Sequence, residues 1–293
     1  MSNILGMLNR SKGEIADAIR PLVETAPPEP APKAAAPPPK AEPLAQKDTA
    51  MRRLRFHLPA PSPLLPFEQG QWRPSEQYRI LRTKIVQHPK QPHLIVVSSP
   101  APGDGKSVSA INTAAALSLK SEGQVLLVDA DLRKSALHTQ LGLPESPGLA
   151  EVLRGDCTLE EALVHAQDFA NLFVLPAGAR VENPVELLDS AAWQALCGKL
   201  RSMFRYVILD SPPVGAVADY DLIQAVCDGV IVVVRPDHTD RRLCQKALDN
   251  IPKAKFLGVL MNCVPDWKPA RNAGADYYYY SSQAHYTSVK DKG

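Results

Sequence analysis

Six short apolar runs constrain this chain more than any other feature. They lie at 93–98, 125–129, 172–176, 206–210, 229–235 and 256–262, and amphipathic stretches at 107–120, 159–166, 191–203 and 241–250 fall between them. The runs are apolar at nearly every position instead of every second one, as in Val-Leu-Leu-Val-Asp and Tyr-Val-Ile-Leu-Asp. Continuous apolarity marks strands covered on both faces, and helical crossovers supply that cover. The expected fold is α/β, a mostly parallel sheet with helices on both faces. Ligands of such sheets bind outside the carboxyl ends of the strands, so the residues that close each run are the first candidates for chemistry.

The rest of the chain has a different character. At 1–23, Ile4, Leu8, Ile15, Ile19 and Leu22 recur at roughly helical spacing, but Gly6 and Gly13 interrupt them. A docking helix and a frayed end are equally good readings of that segment. Residues 24–73 form a Pro/Ala-rich linker, too poor in apolar surface to pack at 27–43, and then a basic, proline-punctuated irregular arm. The folded domain is expected at 74–268 and a polar tail at 269–293. A chain of 293 residues that is 45% hydrophobic builds one sizeable core. Its net charge of +2 gives no reason to expect nucleic acid as a partner. Five cysteines with no CxxC pair argue for a reduced, cytoplasmic protein. No window approaches the ~18 apolar residues of a spanning helix, and no secretory signal opens the sequence.

The first run leads into Ser-Ser-Pro-Ala-Pro-Gly-Asp-Gly-Lys-Ser. Gly103 and Gly105 let the backbone curl around Asp104 so that the amides from Gly103 to Val108 face phosphate oxygens. Lys106 reaches the outer phosphates of ATP, Ser107 ligates Mg²⁺, and the following helix directs its positive end at the same place. Pro100 stands where the usual pattern has its first glycine. That position lies at the mouth of the loop, away from the phosphate-facing amides. A chance Gly-Lys-Ser is common in loops, whereas one placed between a buried strand and an amphipathic helix is a P-loop NTPase signature.

Two carboxylates, Asp129 and Asp131, close the second run at a spacing that sends both side chains to one side. Capping the next turn would explain either one. Beside a phosphate loop, such acids also hold Mg²⁺ and accept a proton from an incoming hydroxyl. Asp210 closes the fourth run in the manner of a Walker B acid. Ser107, Asp129 and Asp210 are the candidate metal ligands, and Lys106, Asp129, Asp131 and Asp210 the candidate catalytic set. Arg133 fits a charge stabiliser and a surface ion pair equally well. In the polar tail stand Tyr277, Tyr278, Tyr279 and Tyr280 in a row, followed by Tyr286, five of the eight tyrosines in the chain. Clustered phenols on such a tail are a sticky patch or a set of acceptor hydroxyls.

The order S-x-x-P-G-D-G-K-S, V-L-L-V-D-A-D-L-R-K, V-I-L-D-S-P-P and tyrosine-rich tail resembles the bacterial tyrosine kinases of exopolysaccharide and capsule export. Stretches HTQLGLPESPGLAEVLRG and LPAGARVENPVELL are similar to family segments, and the resemblance covers about residue 74 to the end. It implies ATP and Mg²⁺ as cofactors and autophosphorylation of Tyr277–280 and Tyr286. One of Asp129 and Asp131 would be the base toward tyrosine, and Asn262 matches the adenine contact of related ATPases. It further implies that Glu76, Arg79 and Arg82 build a ring of subunits, although three-residue spacing by itself fits a solvated salt-bridge ladder. Other implied partners are a separate membrane-embedded polysaccharide co-polymerase that activates the kinase, and a cognate tyrosine phosphatase. The chain would then sit at the inner face of the cell membrane. Partitioning and division-site ATPases share the sheet and the acids, but carry a signature lysine where Ala101 stands. An ATP-sensing adaptor without turnover is the remaining alternative.

Overall fold

The computed structural model describes residues 52–58, 72–119 and 123–264. The segment expected to be helical at 1–23, the proline-rich stretch and all five tail tyrosines lie outside the described residues. Among those described, eight strands form one sheet: β1 (Arg52–Leu54), β2 (Leu94–Ser98), β3 (Val125–Asp129), β4 (Val164–Ala166), β5 (Leu172–Leu175), β6 (Tyr206–Asp210), β7 (Gly229–Val234) and β8 (Phe256–Met261). Their order is β1-β4-β5-β3-β6-β2-β7-β8, and every pair is parallel except β4 with β5. The α/β expectation holds.

Side-chain alternation along the strands builds two cores. Leu94, Val96, Leu126, Val128, Val207 and Leu209 face one way, toward α4 (Leu149–Arg154), α7 (Ala191–Met203) and α8 (Ala218–Val226). Ile95, Val97, Val125, Leu127 and Ile208 face the other way, toward α1 (Trp72–Val86), α2 (Lys106–Ser118) and α3 (Leu137–Leu141). Strands β2, β3 and β6 are buried at every position, which is why their sequences lack polar alternation. Three further helices, α5 (Leu159–Ala162), α6 (Pro184–Leu188) and α9 (Arg241–Asp249), complete the described set.

Two sequence expectations require correction. The stretch at 159–166 reads as one helix, but only its first half is helical. Thr158 and Glu161 form a capping box that starts α5, with Glu161 N donating to Thr158 Oγ1 at 3.2 Å and Thr158 N to Glu161 Oε2 at 2.8 Å. Leu163 then turns extended, and β4 places Val164 and Ala166 in the core with His165 outward. The second correction concerns the arm. Residues 52–58 are an ordered part of the domain, since β1 pairs with β4 and Gln167 N donates to Leu54 O at 2.9 Å. Phe56 drives the attachment: it is 7% exposed and packs into the α2-side core. Phe56→Ala is expected to cost about 3 kcal/mol in urea unfolding, the range for truncating a buried aromatic. An unchanged midpoint would mean that the arm does not pack.

Candidate active site

Strand register assembles the site. Asp129 and Asp210 are paired residues at the ends of adjacent β3 and β6, and Val97 on β2 pairs with Asp210 on its other side. The phosphate loop leaves β2 immediately beyond, so the three central strands deliver lysine and acids to one point. Gly103 and Gly105 have φ of +90° and +92°, in the left-handed region that favours glycine. At Gly105 a Cβ would also lie 2.0 Å from Asn262 Nδ2, so any side chain there would displace Asn262. Helix α2 follows with no side-chain cap and no acid in its first turn. The first amides of a helix have no partner within it, so this turn presents donors and a positive dipole end to an anion.

Lys106, on that first turn, reaches across the site. Its Nζ lies 3.0 Å from Asp131 Oδ2, 3.5 Å from Asp210 Oδ1 and 3.4 Å from Ser107 Oγ. Burial works against its ammonium, but Asp210, Asp131 and Asp129 outweigh that and hold its pKa above the ordinary value. The acids differ in how they are satisfied. Asp129 Oδ2 accepts from Ala136 N at 3.0 Å and Leu137 N at 3.1 Å at the start of α3, the capping use, while its Oδ1 is buried with no hydrogen-bond partner. Asp131 is fully engaged, through Lys106 and through Lys134 N, which donates to Oδ1 at 3.0 Å. Asp210 is completely buried and receives no backbone amide; it is met by side chains alone, Lys106 Nζ at 3.5 Å from Oδ1 and the Ser107 hydroxyl. Burial raises the Asp129 pKa, with the Asp210 charge adding to it. It raises that of Asp210 too, although Lys106 opposes the rise.

Three acids thus face one lysine, more buried negative charge than its single positive charge balances. Such a set fits a divalent cation, because unpaired buried carboxylates are costly until a positive charge joins them. Among the described residues no three His, Cys, Asp or Glu side chains form a ready-made metal cage. Mg²⁺ does not need one, since it takes one or two carboxylates together with substrate phosphates.

Two residues expected at the nucleotide direct their side chains at the loop itself. Asp104 is wholly buried and accepts from Ala101 N at 3.0 Å and Thr239 Oγ1 at 2.6 Å. Asn262 Nδ2 donates to Asp104 O at 3.0 Å, bracing the loop from the end of β8. Arg133 forms the ion pair of its two readings. Its Nε and Nη2 reach Asp219 at 2.8 and 3.0 Å, and Asp219 is fully buried. Sequence reasoning missed Asp219 and Thr239, because a lone acid or hydroxyl in a helical or loop segment carries no pattern. Glu76, Arg79 and Arg82 stand apart from these contacts on α1. There Arg79 Nη1 meets Glu76 Oε2 at 3.0 Å on an exposed face, beside the half-buried Arg82.

The chain matches the AAA domain family over residues 93–256. It is 37% identical over 192 residues to tyrosine-protein kinase YwqD of Bacillus subtilis, spanning 64% of this chain and 80% of that one. It is 32% identical over 193 residues to tyrosine-protein kinase CpsD of Streptococcus agalactiae, spanning 64% and 83%. The crystal structure of the chimerical protein CapA2B2 superposes with a TM-score of 0.66 at 32% identity, covering 73% of this chain and 94% of the other. On this likeness in sequence and fold, and with lysine and acids converging at the strand ends, the chain belongs to the bacterial tyrosine-protein kinase family.

Proposed function

We propose that the chain transfers the γ-phosphoryl group of ATP to tyrosines of its own tail, Tyr277–280 and Tyr286, in a neighbouring subunit. The observation that carries this reading is the unpartnered Asp129 Oδ1 in a site where Lys106 meets Asp131 and the first turn of α2 is uncapped. In this reading the amides of residues 103–108 hold the phosphates and Lys106 leaves Asp131 to neutralise the outer ones. Ser107 and Asp210, with Asp129 nearby, would hold Mg²⁺, which when bound neutralises charge on the phosphate oxygens. Asp129 takes the phenolic proton on Oδ1 while its Oδ2 stays on the α3 amides. A phenol has a pKa near 10, so a carboxylate whose pKa is raised by burial is the better base toward it. The tyrosine oxygen bonds to phosphorus, the bond to the β-phosphate oxygen breaks, and ADP leaves.

Each phosphate adds about −1.5 to −2 charges to the tail, enough to drive adjacent phosphotyrosines from an acidic site. We extend the reading to a cycle in which Glu76, Arg79 and Arg82 build a ring of subunits that unmodified tails hold together and modified tails release. Family membership supports a role in controlling exopolysaccharide or capsule polymerisation and export. The partners would be a membrane-embedded activator and an opposing phosphatase, at the inner face of the membrane. No described helix is long and apolar enough to cross a membrane.

The test is incubation of the full chain with Mg-ATP and mass spectrometry of the tail. Phosphate is expected on residues among 277–280 and 286, and absent when all five are changed to phenylalanine. ATP consumption with no phosphotyrosine, even beside the activator, would favour the ATPase-switch alternative and sink the kinase reading.

A further inference from the structure

The loop between β7 and α9 grips the phosphate loop from behind. Residues 235–240 make a tight turn in which Asp237 has φ of +60°, and Asp240 caps α9 by accepting from Arg242 N at 2.8 Å and Leu243 N at 3.1 Å. Thr239 is fixed between them. Its N donates to Arg235 O at 2.9 Å, and its Oγ1 accepts from Arg235 N at 3.0 Å. That hydroxyl then spends its single proton on Asp104 Oδ1 at 2.6 Å. His238 Nε2 lies 3.4 Å from Pro102 O and covers Gly103, where a Cβ would come within 3.2 Å of it.

Asp104 is an odd residue to find in a polyanion-binding loop. It is completely buried, and a carboxylate turned toward the phosphates would repel them. Its side chain instead points back, where Ala101 N and the Thr239 hydroxyl satisfy it. The backbone on either side of it, Gly103 and Gly105, is left-handed and has no side chain to hold its shape. Asp104 is therefore the handle of the loop, and Thr239 is the hand on it.

We propose that Thr239 is a positioning residue for nucleotide binding, holding through Asp104 the amides that face the phosphates. This rests on the nucleotide-site reading above. With the hydroxyl gone, the Asp104 carboxylate loses its strongest donor and turns toward other amides of its own loop, which then no longer face outward. Hydrogen bonds to charged groups are worth enough that Thr239→Val is expected to weaken binding of a fluorescent ATP analogue about 10-fold to 100-fold. KM for ATP should rise more than kcat falls. Thr239→Ser keeps the proton and is expected to bind within about threefold of wild type, a rescue that a packing role of the methyl group would not give.

Thermal unfolding of each variant accompanies the titrations. If Thr239→Val binds the analogue as wild type does, whatever its melting temperature, the proposal is overturned and the nucleotide site stands. Failure of Thr239→Ser to restore binding overturns it as well. If Thr239→Val does not fold, Thr239→Ala removes the hydroxyl without adding bulk. Unfolding of both would place the hydroxyl's role in the fold, and the proposal would fall. No binding by wild type overturns the nucleotide reading, and this inference with it.

Discussion

Lys106→Met is expected to abolish tail phosphorylation, lowering turnover by about three orders of magnitude or more, the scale for removing one preorganised group that stabilises transferring charge. The geometry argues for an effect beyond the loss of one ligand. Lys106 is the cation that sits 3.0 Å from Asp131 and 3.5 Å from Asp210. Without it, Asp129, Asp131 and Asp210 face one another without that charge, in a site where neither oxygen of Asp210 receives a backbone amide. Buried carboxylates left in that state take up protons or repel further negative charge, and ATP brings several. Nucleotide affinity should therefore fall together with turnover. Circular dichroism and a melting curve distinguish this from collapse of the fold. Phosphotyrosine persisting at the wild-type rate in a folded Lys106→Met protein would remove the lysine from the chemistry.

The sequence was legible where burial is complete and where chemistry imposes spacing. β3, β6 and α7 stand where the apolar runs and helical periodicity place them, because each is packed on the core along its length and little else could accommodate it. Strand ends were readable for the same reason: an apolar run that stops on an acid leaves that acid at the sheet's carboxyl edge. Short elements at the margin were not. β1 and β4 have three residues each, too few to show a period, and both form by adding to an existing edge. The division of 159–166 depends on the capping box that starts a helix only one turn long, while Leu163 ends it through tertiary packing. Within the site, residue types identified the lysine and the acids but not how each is spent. Three-dimensional contact with Thr239, 135 residues away, makes the Asp104 side chain a brace for its own loop, a use its residue type does not announce. Likewise Asp131 is tied up while Asp129 keeps one oxygen free, a difference that two identical side chains two residues apart cannot reveal.

That difference yields the second large expected effect. Asp129→Asn should lower turnover by about two to four orders of magnitude, the usual contribution of a general base, while leaving ATP affinity within about threefold. The substitution is close to isosteric, and the carboxamide oxygen can still accept from Ala136 N and Leu137 N, so the start of α3 is preserved. The amide group then occupies the position of the unpartnered Oδ1, where it donates instead of taking a proton. Asparagine also removes one of the buried negative charges that destabilise Asp210, so the variant is expected to melt no lower than wild type. Asp131→Asn provides the contrast. Asp131 is paired with Lys106, and weakening that pair alters how the lysine is held, so its larger effect should be on KM for ATP. Single-turnover measurements at saturating Mg-ATP separate the two. A loss in kcat for Asp131→Asn matching that of Asp129→Asn, with affinity unchanged in both, would mean that the unpaired oxygen does not single out the base.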